Sequence, residues 1–158
     1  MKIEKETAKR LYESVPDWFK KDLEEAFDKE SFRKIDFKDL KTFEDLCKAA
    51  DTTESEFTAK YKDLPISQTL KTVAKFEILS EAINDGWKPD TLDTNARKWF
   101  PYFTVSSSGL AFSDSLSACV NARASVGFPL CFKSEEQSNH AGRQFIKLWE
   151  ELILRKIS

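Results

Sequence analysis

The sequence predicts an α+β fold: an N-terminal helical region, a small antiparallel sheet of about three strands, and a long C-terminal helix packed on that sheet. Three observations carry this. Up to about residue 95 the chain is charged, studded with Phe and patterned at helical spacing. From Asn95 to Phe132 it holds only four charged residues, Arg97, Lys98, Asp114 and Arg123, and is rich in aromatics and serine. A charged helical pattern then resumes at Lys133.

In order along the chain, residues 3–13 form a short helix. Pro16 suits the start of a second, where its missing N–H is tolerated. Phe19, Leu23, Ala26 and Phe27 then recur as one buried stripe, which Trp18 widens. Phe32, Ile35, Phe37 and Leu40 lie in an interrupted segment. Thr42 caps the next helix with Asp45 three positions on, and Phe43, Leu46, Cys47 and Ala50 form its stripe. A short helix follows over 54–62 through Phe57 and Tyr61. Ser67 opens a longer one on Leu70, Val73, Phe76, Leu79 and Ile83, stopped by Asn84-Asp85-Gly86.

The β region starts near Trp99. Pro101 cannot donate to a ladder, which favours an edge strand or a strand start. Tyr102–Val105 and Leu110–Ser113 read as strands joined by a Ser106-Ser107-Ser108-Gly109 turn. Residues 114–127 are small and polar and read as loop, a poor helix or both. Leu130-Cys131-Phe132 reads as a third strand. The final helix has Ser134 as its cap and Gln137 completing a capping box, with Ala141, Phe145, Leu148, Trp149 and Leu152 buried. Gly142 inside it costs about 1 kcal/mol relative to alanine, so that turn is expected to pack closely on a strand or helix.

A chain of 158 residues is expected to be one domain, 1–158, with a helical N-terminal region over 1–64 and a helix–sheet–helix region over 65–158. At this size about 70% of the unfolded chain's surface can be buried, so no metal or disulfide staple is required. With 13 Phe and 4 Trp there is material for a core. A net charge of −2 argues against strong non-specific binding to nucleic acid or anionic membrane. No apolar run approaches the ~20 residues of a membrane span, and the charged start, MKIEKETAKRLYESV, has no apolar h-region. Cys47, Cys119 and Cys131 are widely spaced, which fits reduced thiols and a cytoplasmic location.

The string LKTFEDLCKAADT resembles the KTFEDAC-type segment of a family of hypothetical proteins borne by phages and mobile elements of gut Bacteroidetes-type bacteria. The resemblance continues at EILSEAINDGWKPD, at KWFPYF and SSGLAFSD, and at VGFPLCFKSEEQSNHAGRQFIKLWEELIL, similar to a CFKSEE…AGxQF ending. With SVPDWFKKDLEEAF it spans nearly the whole chain. It implies a bacterial-cell or virion context and carries no activity. Where similar sequences often have an aromatic, this chain has His140.

His140 is the single histidine. A nucleophile–base pair with a remote serine needs geometry that spacing does not provide, and the plainer expectation is a polar residue on the shoulder of a packed helix. One histidine and three scattered cysteines give no metal-ligand spacing, and Glu135 and Glu136 are explained by the helix dipole. We therefore expect no catalytic residue, no metal and no cofactor. The candidate binding residues are Trp87, Arg97, Lys98, Trp99, Tyr102 and Arg123: rings that tolerate a half-wet surface, with nearby cations. The leading expectation is a non-enzymatic interaction protein that binds a host protein or ribonucleoprotein, as an antagonist of a bacterial defence system. The alternatives are a nucleic-acid-binding module using the sheet aromatics, a virion-associated structural protein, and an enzyme of unknown type. No membrane partner is expected.

Overall fold

The structure is a computed structural model, and it describes residues 3–90, 93, 95–119 and 130–155. The chain divides into two compact units, Met1–Ile35 and Asp36–Ser158. This boundary falls well before the 64/65 division suggested by the sequence.

The first unit holds α1 (Lys5–Tyr12), α2 (Asp17–Phe27) and a 3-10 turn over Lys29–Phe32. Leu23 and Ala8 are its buried apolar residues among those described. Tyr12 stacks on Phe32 with ring centroids 4.4 Å apart, Phe27 meets Phe32 edge-on, and the Tyr12 hydroxyl donates to Glu24. Trp18 does not widen the buried stripe of α2. It is 68% exposed and touches only the neighbouring Phe19 ring among the described aromatic contacts.

The second unit holds a 3-10 turn (Phe37–Asp39), α3 (Phe43–Ala49), α4 (Glu54–Lys62), α5 (Gln68–Ile83), β1 (Arg97–Ser106), β2 (Gly109–Cys119), α6 (Glu135–Gln144) and α7 (Ile146–Ile153). Local chemistry sets the helix starts. Thr42 and Asp45 form a complete capping box on α3, as do Thr53 and Glu56 on α4. The bonds from Thr42 hold the Asp45 carboxyl below its ordinary range. Ser67 accepts from the Leu70 amide at the start of α5.

The buried face of α5 is Thr72, Phe76, Leu79 and Ile83, whereas Leu70 is 55% exposed. Helix α5 stops where Asp85 and Gly86 enter the left-handed region, at φ 51 and 71°. Asn84, 3% exposed, does more than end the helix. Its Nδ2 donates to the Cys131 carbonyl at 2.8 Å, and its Oδ1 accepts from the Lys133 amide at 3.0 Å. Gln137 Nε2 donates to the Ile83 carbonyl at 2.7 Å. Gln137 therefore turns its amide nitrogen toward α5, while Ser134 caps α6 by accepting from the Gln137 backbone amide and donates its hydroxyl to Gln137 Oε1 at 3.2 Å, so the expected capping box onto the Ser134 backbone is not formed.

The two strands pair antiparallel from Arg97↔Cys119 to Ser106↔Gly109. The register jumps after Tyr102↔Asp114 to Phe103↔Phe112, which leaves Ser113 as an unpaired bulge residue on β2. Two expectations are corrected here. Residues 114–119 are strand rather than loop or helix. Residues 130–132 do not add a third strand among the described residues. Phe132 makes one antiparallel bridge to Trp99, the two exchanging bonds of 3.0 and 2.9 Å. Beyond Trp99, the next β1 residue whose backbone points to that edge is Pro101, which has no N–H to extend the pairing.

The C-terminal helix is also not continuous. Phe145, at φ −107° and ψ 31°, separates α6 from α7. Helix α6 lies across both strands, and α7 packs against α5 and β2. The Ala141 carbonyl at the break accepts from the Phe145 amide and from Trp149 Nε1. Buried Leu40, Leu46, Phe76, Leu79, Ala82, Ile83, Phe132, Ala141, Phe145 and Leu148 form the core.

Gly142 explains how closely α6 approaches the sheet. A Cβ there would lie 2.4 Å from the Phe112 ring and 2.8 Å from the Pro101 Cβ. Such overpacking costs about 1–3 kcal/mol, against roughly 1 kcal/mol gained in helix propensity. Gly142→Ala is therefore expected to lower the melting temperature. An unchanged or raised value would mean that the Phe112 ring swings aside freely.

Candidate functional site

Alternation along β1 and β2 divides the ribbon into two faces, and the contacts identify them. One face meets the helices: Pro101 and Phe112 lie under Gly142, Phe103 packs on Trp149 at 5.2 Å, and the Ser115 hydroxyl donates to Ser138 Oγ at 2.7 Å. Trp99 belongs to this side and packs half-buried against the core. The opposite face carries Lys98, Phe100, Tyr102 and Thr104, paired with Ala118, Leu116, Asp114 and Ala111. Tyr102 is 56% exposed and Leu116 52%. Thr104, Ala111 and Asp114 are also exposed, and Phe100 is half-buried.

A sheet face turned away from its helices is ordinarily polar. Here the register sets a large ring and a leucine on it as diagonal neighbours. No family model matches this sequence, and no curated protein or solved structure is significantly similar to it.

The expected site residues are scattered by this geometry. Tyr102 is on the open face. Trp99 is on the helix side. Arg97 is exposed at the start of β1, on the Trp99 side by alternation. Lys98 belongs to the open face by register but is fully buried, its Nζ directed at the Asp93 and Ala96 carbonyls at 3.4 and 3.5 Å. It is therefore withheld from any phosphate at the surface. Trp87 is half-buried just after α5, its amide donating to the Asn84 carbonyl. Arg123 lies outside the described residues. Sequence reasoning missed Asp114 and Leu116, because the second half of β2 carried no strand signal.

The one histidine is engaged structurally. Its Nε2 lies 2.9 Å from the Leu40 carbonyl, an arrangement in which the ring nitrogen donates. The ring stands edge-on to Phe37 and Phe145, with centroids 5.6 and 6.1 Å away. His140 lines a shallow, open depression of about 360 Å³ between the Phe37–Asp39 turn and α6. Of its charged residues, Lys38 pairs with Glu136 at 2.7 Å, and the Arg143 guanidinium sits 4.8 Å above the Phe112 ring. The Glu136 carboxylate beside Lys38 raises the lysine's pKa.

Cys47 and Cys131 are buried free thiols. Burial pushes Cys131 up to about 11 and raises Cys47, the opposite of what a thiolate nucleophile needs. Among the described residues no three His, Cys, Asp or Glu side chains gather as a metal site, and no helix is long and apolar enough to cross a membrane.

Proposed function

We propose that this chain is a non-enzymatic interaction protein whose open ribbon face docks on a host protein inside a bacterial cell. The observation that carries the reading is the uncovered pair Tyr102 and Leu116, each more than half exposed on a strand face with no described helix against it. Tyrosine is a frequent anchor at interfaces because one ring brings both apolar area and a polar tip. The resemblance to phage- and mobile-element-borne proteins supports a host partner, and antagonism of a bacterial defence system is the role that fits such a partner.

Nucleic acid is the weaker reading. The ribbon's charged residues are Arg97, Lys98 and Asp114. Of these, Arg97 lies on the other face and Lys98 is buried, while Asp114 stands directly across from Tyr102. A carboxylate beside the stacking ring repels the phosphate that would accompany a stacked base.

Capture from a bacterial lysate on the tagged chain, with and without nuclease, tests this. A protein retained after nuclease treatment and lost on Tyr102→Ala or Leu116→Ala is the expected result. Retention that disappears with nuclease would transfer the ribbon to nucleic acid. Retention indifferent to both substitutions would remove the ribbon face from the interaction.

A further inference from the structure

Resting on that reading, we infer that the open face is built to receive an arginine side chain of its partner, held between the Tyr102 ring and the Asp114 carboxylate. The two are direct cross-strand partners and both are exposed. Directly opposed residues in an antiparallel pair place their Cβ atoms about 5 Å apart, so ring and carboxylate address the same point in space. Leu116 lies diagonally next to Tyr102 and offers apolar area to an aliphatic stem.

Asp114 is the focus of the argument. It is the one acidic residue of either strand. None of the described ion pairs involves it, and the nearest strand cations are turned away or buried. Its Oδ1 accepts from the Ser115 amide at 2.8 Å, which fixes the carboxylate's orientation. The adjoining bulge at Ser113 increases the local twist and sets how β2 presents this position. An oriented, unneutralised carboxylate beside an exposed ring and a leucine is complementary to a planar cation on an apolar stem. Arginine fits better than lysine, since guanidinium stacks on an aromatic face while its edge bonds a carboxylate.

The test uses the whole chain and a defined probe. Acetyl-Leu-Arg-Leu-amide and its citrulline counterpart, equal in shape but uncharged, are titrated while the NMR signals of Tyr102 and Leu116 are followed. The arginine peptide is expected to shift both signals and to bind about two- to fivefold more tightly than the citrulline peptide, the scale of an exposed ion pair. Asp114→Asn, an exposed near-isosteric change, should abolish that preference. Equal response to both peptides, no shift at these residues at millimolar peptide, or a preference that survives Asp114→Asn would each overturn the inference. The lysate partner separates this from the broader reading. If Tyr102→Ala releases it while Asp114→Asn does not, the docking face stands and the arginine pocket falls. If neither releases it, both fall.

Discussion

Replacing Phe145 by alanine is expected to reduce the unfolding free energy of the second unit by about 3–5 kcal/mol, the usual cost of removing a buried aromatic. The residue is 7% exposed and lies where α6 gives way to α7. It closes the core beside Leu40, Leu46, Phe76 and Ala141, and it flanks the His140 ring. Because the helix breaks at this residue, collapse around a smaller side chain would have to move α6 relative to α7. That movement is opposed by Gly142 on one side of the break and by Trp149 on the other. Equilibrium denaturation with urea measures the loss, and Phe145→Leu should cost distinctly less. A loss below about 1 kcal/mol for the alanine variant would show that the two helices do not depend on this ring.

Asn84→Ala is expected to cost about 2–3 kcal/mol, although it removes few atoms. The side chain satisfies one buried carbonyl, that of Cys131, and one amide, that of Lys133. Alanine leaves both without their partner, and the orphaned buried carbonyl carries most of the penalty. Asn84→Asp separates the halves: the acceptor for Lys133 is kept, and the donor to Cys131 is lost. Both variants should fall in stability, with aspartate no better than alanine, because its carboxylate would face the Cys131 carbonyl. If Asn84→Asp matched the native chain in urea, the Cys131 bond would contribute nothing.

Local signals in the sequence located most helices. Thr42 with Asp45, Ser67 and Ser134 each announce a start, because a short polar side chain bonding the first-turn amides is chemistry read within four residues. Gly142 announced close packing, and the structure identifies Phe112 and Pro101 as the reason. What failed depended on partners distant in sequence. The second half of β2 hid because its helix-facing position Ser115 is a serine bonded to Ser138, while the outward Leu116 is apolar, which inverts the usual alternation. The break at Phe145 is set by what α6 and α7 pack on, not by a breaker residue. Trp18 sits beside the stripe of α2 in sequence, yet the fold leaves it in solvent.

The candidate site was half legible for the same reason. Tyr102 stood out as an amphipathic ring on a strand. Its neighbours Asp114 and Leu116 follow from the register across the ribbon, which the bulge at Ser113 shifts by one residue. Lys98 and Trp99 read as surface by composition; alternation packs Trp99 half-buried against the core, while Lys98, on the open face by register, is buried with its Nζ directed at the Asp93 and Ala96 carbonyls.

The Asn84 contacts also say something about how this chain can change over generations. By joining the end of α5 to residues 131–133, just ahead of α6, they pinch together the two ends of everything between. The ribbon is thus an excursion whose departure and return are fastened by the helical body. Lengthening a loop between fixed ends is inexpensive, about 0.6 kcal/mol for each doubling. The Ser107-Ser108 tip and the exposed outward residues Tyr102, Thr104, Ala111, Asp114 and Leu116 are therefore free to drift while the helices keep their packing. A lineage is thus able to rewrite the exposed side and tip of the ribbon without relearning how to fold, so long as Pro101, Phe103, Phe112 and Ser115 keep their packing on the helices.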